Sequence, residues 1–245
     1  MKLKTIRVRR SRPTAPALAL ALALTMLFVY LISLSSAPEQ QSGEAAASAA
    51  GEAEVRMEGM DAAFLCDARC ADLTEARVAA ANCAASGGAG MLLREGEAYA
   101  VIREAVNPDA APEGAVLRGA SGLTLRLTGP ASEVAAISDA VVFLRAQASE
   151  TGSLAAALDS GDTDANSLVA LMEVYRTQGH RARTALEGVS ARGDTVTRLQ
   201  SAVQSELDRL EGAIQSPDAG KMKLIHAAAC AEWISLLNAL SDSVT

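Results

Sequence analysis

The chain has 245 residues, of which 50% are apolar, 21% charged and only 3% aromatic, so it is not wholly disordered and its core falls to Ala, Leu, Val and Ile. Six basic residues, Lys2, Lys4, Arg7, Arg9, Arg10 and Arg12, precede the first acid, Glu39, and leave 16 basic against 29 acidic residues beyond them. A body with that net charge of −13 repels phosphate backbones, which argues against a nucleic-acid partner.

No charge occurs between Pro13 and Pro38, and Ala15 to Leu34 is a nearly continuous apolar run. About 20 apolar residues match the ~30 Å hydrocarbon core, and a helix is required there because its backbone hydrogen bonds close internally. The basic tail on one side orients the N-terminus toward the cytoplasm and the rest of the chain outside it. A cleaved signal peptide is the rival reading, since Ser35-Ser36-Ala37 offers a small-x-small site. The run exceeds the usual h-region of about 7–15 residues and Pro38 follows the site directly, which favours an uncleaved anchor. The reading is a basic cytoplasmic tail (1–13), a transmembrane helix (14–36) and a flexible linker (37–54) of small, polar and acidic residues.

Residues 55–129 read as a compact module. Val55, Met57 and the run Ala62 to Leu65 suggest a strand interrupted by Gly59. Asp72 is placed to cap a helix starting near Leu73, and Gly87-Gly88 to end it. Two short apolar runs flank Glu95-Gly96-Glu97 as a β-hairpin. Residues 107–122, with Pro108, Pro112 and Gly114, read as loop or a short helix around Glu113 to Leu117. Leu123 to Thr128 alternates as a further strand. The order is βαββαβ, an α+β arrangement with helices on one sheet face.

The region 130–245 gives no strand signal. Ser132 is a candidate cap for a helix through Leu144, and a second helix runs from about Asn166 to Gln178. Val196, Leu199, Val203, Leu207, Leu210 and Ile214 form an amphipathic stripe. Past the break at Ser216 to Gly220, a last helix carries Met222, Ile225, Trp233 and Leu237. An intrachain bundle fits these helices; an intermolecular coiled coil is the other use of the stripe.

Ser86-Gly87-Gly88-Ala89-Gly90-Met91, then Glu95-Gly96-Glu97-Ala98-Tyr99-Ala100-Val101-Ile102, and the closing Leu125 to Pro130, resemble the sporulation-related repeat, or SPOR, domain in its divergent, membrane-anchored Gram-positive form. The resemblance covers about residues 53–129 and implies a ferredoxin-like βαββαβ fold. It also implies binding of peptidoglycan glycan strands on the open sheet face, at division or sporulation septa. Its matching residues are Tyr99 on the hairpin, with Arg94, Arg103 and Arg126 as polar contacts.

Catalytic patterns are weak. Gly119-Ala120-Ser121-Gly122 lacks the Gly-x-Ser-x-Gly spacing of a serine nucleophile, and no pair of carboxylates is marked for glycoside hydrolysis. The two histidines, His180 and His226, sit in no metal-ligand pattern, so no metal or other cofactor is expected. Cys66, Cys70, Cys83 and Cys230 read as free thiols or as including one disulfide, with Cys66–Cys70 the easiest pairing by chain proximity. The expectation is a non-enzymatic, single-pass membrane protein whose outer module binds peptidoglycan. The alternative is an envelope scaffold that no longer binds glycan and recruits protein partners through its helical region.

Overall fold

The computed structural model describes residues 51–190 and 193–242. The expected basic tail, transmembrane helix and most of the linker lie outside them. The first strand, β1 (Gly51–Met57), begins within the stretch expected as linker, and β2 (Met60–Cys70) follows after Glu58-Gly59. Far along the chain, β5 (Val116–Ala120) and β6 (Leu123–Gly129) are separated at the matching point by Ser121-Gly122. The register passes the break unshifted: Met60 faces Ala120 in β2–β5, and Met57 faces Leu123 in β1–β6. The paired strands can bend there because both sides have glycine. A Cβ on Gly59 or on Gly122 would lie 2.8 Å from the other's backbone nitrogen. The indole of Trp233 donates to the Glu58 carbonyl at the bend, at 3.1 Å.

The bend divides the strands between two sheets. β1 and β6 form a two-stranded ribbon. The other sheet has four antiparallel strands in the order β3–β4–β2–β5, with β3 at Met91–Glu95 and β4 at Ala98–Val106. Helix α1 (Leu73–Ala85) joins β2 to β3; its N-cap Asp72 accepts from the Glu75 N–H at 2.8 Å. Its end is closed by two bonds, Gly87 N–H to the Ala84 carbonyl and Gly88 N–H to the Cys83 carbonyl, with Gly87 at φ +81.

The expected βαββαβ module with two helices on one sheet is corrected here. The second helix is absent: between β4 and β5 there is only a single 3-10 turn, Pro108–Ala110. Pro108 and Pro112 each lack an N–H, and Gly114 holds φ +90, so this stretch cannot sustain a helical ladder. The bends at Gly59 and Gly122 further split one expected sheet into two. Among the described residues the architecture is α+β with two sheets and five α-helices.

Four helices follow β6: α2 (Ala131–Asp159), α3 (Ala165–Glu187), α4 (Asp194–Gln215) and α5 (Ala219–Ser241). α2 starts earlier than a Ser132 cap would set it, with Pro130 at the cap, and continues well past Leu144. Gly152 lies inside it because the His226 ring packs there; a Cβ would come within 2.7 Å of the imidazole Nε2. Gly179 in α3 likewise leaves room for Phe143 and Leu207.

One apolar cluster runs through both parts, from Phe64, Ile102 and Leu125 to Leu199, Leu210 and Trp233. Among the described residues α5 alone is long and apolar enough to cross a membrane, with mean hydropathy 1.3. More than half of that stretch is buried against sheet and helices, as in the core helix of a folded domain.

Candidate functional site

β4 sorts its residues by alternation onto the two faces of the four-stranded sheet. Tyr99 and Val101 join Cys70, Ala76, Ala80 and Cys83 in a small cluster beneath α1. Ala100 and Ile102 turn the other way, with Phe64, Leu93 and Val116, into the large cluster that contains α5. At the start of α5, Lys223 pairs with Asp159 at 2.5 Å and lies 3.9 Å from Glu104. Further along, Trp233 is bonded to the bend at Glu58. A helix therefore lies against each face of this sheet.

The residues expected to hold a glycan are dispersed. Arg94 lies directly opposite Tyr99 in the β3–β4 ladder, and its Nε donates to the Gly96 carbonyl at 3.0 Å. Tyr99 is only partly exposed, its ring packed on the cluster under α1. Arg103 is at the other end of the strand, bonded to Asp67 at 3.0 Å; that bond and charge raise its pKa further. Arg126 lies in the ribbon, 3.4 Å from Glu54, with both side chains well exposed. Arg94 and Tyr99 are thus neighbours, and Arg103 and Arg126 are not part of their surroundings. Cys66 and Cys70 are free thiols; Cys66 packs on the large cluster and Cys70 in the small one, on opposite faces of the sheet. Two irregularities in the β2–β4 register, between Leu65 and Cys66 and between Cys66 and Ala68, accompany that divergence.

Sequence reading missed two other arginines at the hairpin end of the sheet. Arg69 pairs with Glu95 at 3.2 Å and donates to the Gly114 carbonyl at 3.3 Å. Arg118 donates to the Arg94 carbonyl at 2.8 Å. Their sequence positions, on separate strands, carry no motif; only the strand order gathers them. Beside the 3-10 turn, a shallow groove of about 490 Å³ is lined by Asp61, Pro108, Leu117 and Gly119.

The helices hold a buried polar set. The Cys230 thiol donates to the Ala148 carbonyl at 3.3 Å and lies 3.8 Å from His226 Nε2. Burial pushes that thiol up to about 12 and lowers the His226 pKa, so neither group is poised as a nucleophile or its base. His226 Nδ1 lies 3.2 Å from the Thr151 hydroxyl. Glu206 of α4 is buried and bonded to Arg209, which also donates to Glu232 of α5 at 2.8 Å. The signal for Glu206 was present in the sequence: an acid three residues after Val203 and four before Leu210, inside the apolar stripe. His180 pairs with Glu211 at 3.7 Å, and Arg176 with Glu173 at 2.5 Å. Among the described residues no group of three His, Cys, Asp or Glu side chains is placed to hold a metal.

No protein family, curated protein or solved structure matches the chain.

Proposed function

We propose that the chain is a tethered, non-enzymatic adaptor of the cell envelope, acting through protein contacts of its folded body. The observation that carries this reading is the position of α5. It shares a core with Phe64, Ala100 and Ile102, on a sheet face that a glycan-binding module keeps open for sugar. A sugar strand there would have to displace an apolar helix whose burial stabilises the whole unit. The apolar run from Ala15 to Leu34 and the basic residues before it support membrane attachment with the body outside the cytoplasm.

A second reading is binding of peptidoglycan at the hairpin end of the sheet. It is favoured by Arg94 and Tyr99 standing opposite one another, with Arg69 and Arg118 close to the same hairpin. Co-sedimentation of the full chain in mild detergent with purified sacculi, intact or stripped of stem peptides by amidase, separates the two. The adaptor reading expects no pelleting with either preparation. Pelleting that rises on stripping and falls for Tyr99→Ala overturns it in favour of glycan binding.

A further inference from the structure

Glu206 lies where α2, α4 and α5 meet, with 1% of its side chain exposed. The crevice around it is walled by Leu144, Ala202, Ala229, Trp233 and Leu236 and is too narrow to admit water. One carboxylate oxygen takes a hydrogen bond from Arg209; the other, Oε2, has no partner. The same guanidinium also serves Glu232 of α5, so two carboxylates share one cation across the seam between the helices. On α2, Gln147 lies one turn beyond Leu144, fully buried, with neither end of its amide bonded. The closed bundle thus leaves buried polar groups unmet, and an opened seam would hydrate the one that lines it, Glu206.

We propose that the seam between α4 and α5 is a proton-sensitive latch, closed on Glu206 while that side chain is neutral and loosened when it ionises. Ionised Glu206 puts a second negative charge beside the one cation, Arg209, that already serves Glu232, and does so with its own carboxylate shut away from water; separation of the helices relieves this. The facing charged and titratable groups are few. α4 itself contributes Arg209, and α5 contributes Glu232 and the thiol of Cys230. α2 contributes Arg145, which acts on the same thiol as Glu206 and pairs with Glu58 at 3.6 Å. The charges that α3 brings to α4, His180 and Arg183, are engaged by Glu211 and Gln204.

Burial, outweighing the attraction of Arg209, pushes the Glu206 carboxyl up to about 8. A folded-state value above the unfolded one means that the contribution to stability is complete below about pH 4.5 and is lost as pH rises to about 8. The latch is therefore tight in acid and loosest in mild alkali. This inference stands apart from the adaptor reading, and failure of either leaves the other in place.

Hydrogen–deuterium exchange of the full chain in detergent, corrected for intrinsic rates and followed from about pH 5 to 9, tests it. Protection in α4 and in the facing part of α5 is expected to fall by roughly tenfold per pH unit and to level off near pH 8, while α1 holds steady. Glu206→Gln is expected to flatten the profile. Glu232→Gln, which removes the competing carboxylate, is expected to move the levelling-off to lower pH. If Glu206→Gln does not fold, Glu206→Met serves, with the same flat profile expected. A wild-type profile without pH dependence, a fall shared equally by α1, or a fall that persists when Glu206 is replaced overturns the proposal.

Discussion

On one face of the four-stranded sheet, α1 lies over Cys70 and Val101 with Ala76, Ala80 and Cys83. On the other, α5 shares with Phe64, Ala100 and Ile102 a cluster that extends through the bundle to Leu199 and Leu210. The first cover is built from small side chains and joined to the sheet by its immediate chain neighbours. The second arrives from the far end of the chain and brings large side chains with it. Small residues allow close approach but bury little area, so the α1 layer rests on backbone fit, whereas the α5 layer rests on apolar burial. The sheet is thereby joined to the bundle on one side only.

The strongest way to break this comparison is Phe64→Ala. Phe64 is fully buried on the α5 face, and its truncation is expected to cost about 3–5 kcal/mol. Urea unfolding followed by Trp233 fluorescence and by far-ultraviolet circular dichroism should shift together, because the indole sits between bundle and bend. Two separate transitions would show that sheet and bundle do not share one cooperative core.

Backbone fit on the α1 face is tested by Gly90→Ala. Gly90 holds φ +62, and a Cβ would come within 2.5 Å of the Ala80 carbonyl oxygen, a backbone atom of α1 that cannot swing aside. The left-handed strain and the collision together are expected to cost about 3 kcal/mol. Gly96 has the same φ but open space around it, so Gly96→Ala is expected to cost only about 1–2 kcal/mol. Equal losses at the two positions, read from urea midpoints, would mean that close packing under α1 contributes nothing. Val101→Ala, which removes area from the same layer without touching the backbone, is expected to cost about 2 kcal/mol, less than Phe64→Ala.

The difference between the two covers also explains what could be read from sequence. Asp72, Gly87-Gly88 and the hairpin at Gly96 act within a few residues of themselves, through capping, positive φ and a tight turn, and were legible as such. The α4 stripe was legible because helical periodicity is local. The helix expected near Glu113 failed against equally local chemistry, the prolines at 108 and 112, and those signals were visible. What sequence could not supply was the place of α5. Its contact with the bend joins Trp233 to Glu58 across most of the chain, and no periodicity encodes that pairing. A hint lay in Ala227 to Ala229 and Cys230, which make one turn of the helix apolar all round, the mark of a segment buried on several sides. The site suffered in the same way: Tyr99 alternates with Ala100, yet its face is the one beneath α1, and the opposite face is covered by α5. Arg126 was separated from Arg94 by a bend whose glycines were visible but whose direction was not.

The smallest expected effect gives the sharpest contrast. Asp72 caps α1 and Asp218 caps α5 with the same bond, a carboxylate oxygen accepting from an N–H three residues on at 2.8 Å. Replacing either with Ala should cost about 1 kcal/mol locally. The consequences differ because the first turn of α5 is held in the body of the protein, with Gly220 packed against the Gly88 carbonyl and Lys223 paired with Asp159. Asp218→Ala is therefore expected to lower the urea midpoint of the whole unit. Asp72→Ala should chiefly speed amide exchange in the first turn of α1, whose N-terminal residues are exposed and bring no large side chain to the sheet. Exchange confined to the start of α5 in Asp218→Ala, or a global shift in Asp72→Ala larger than its counterpart, would reverse the roles assigned to the two faces.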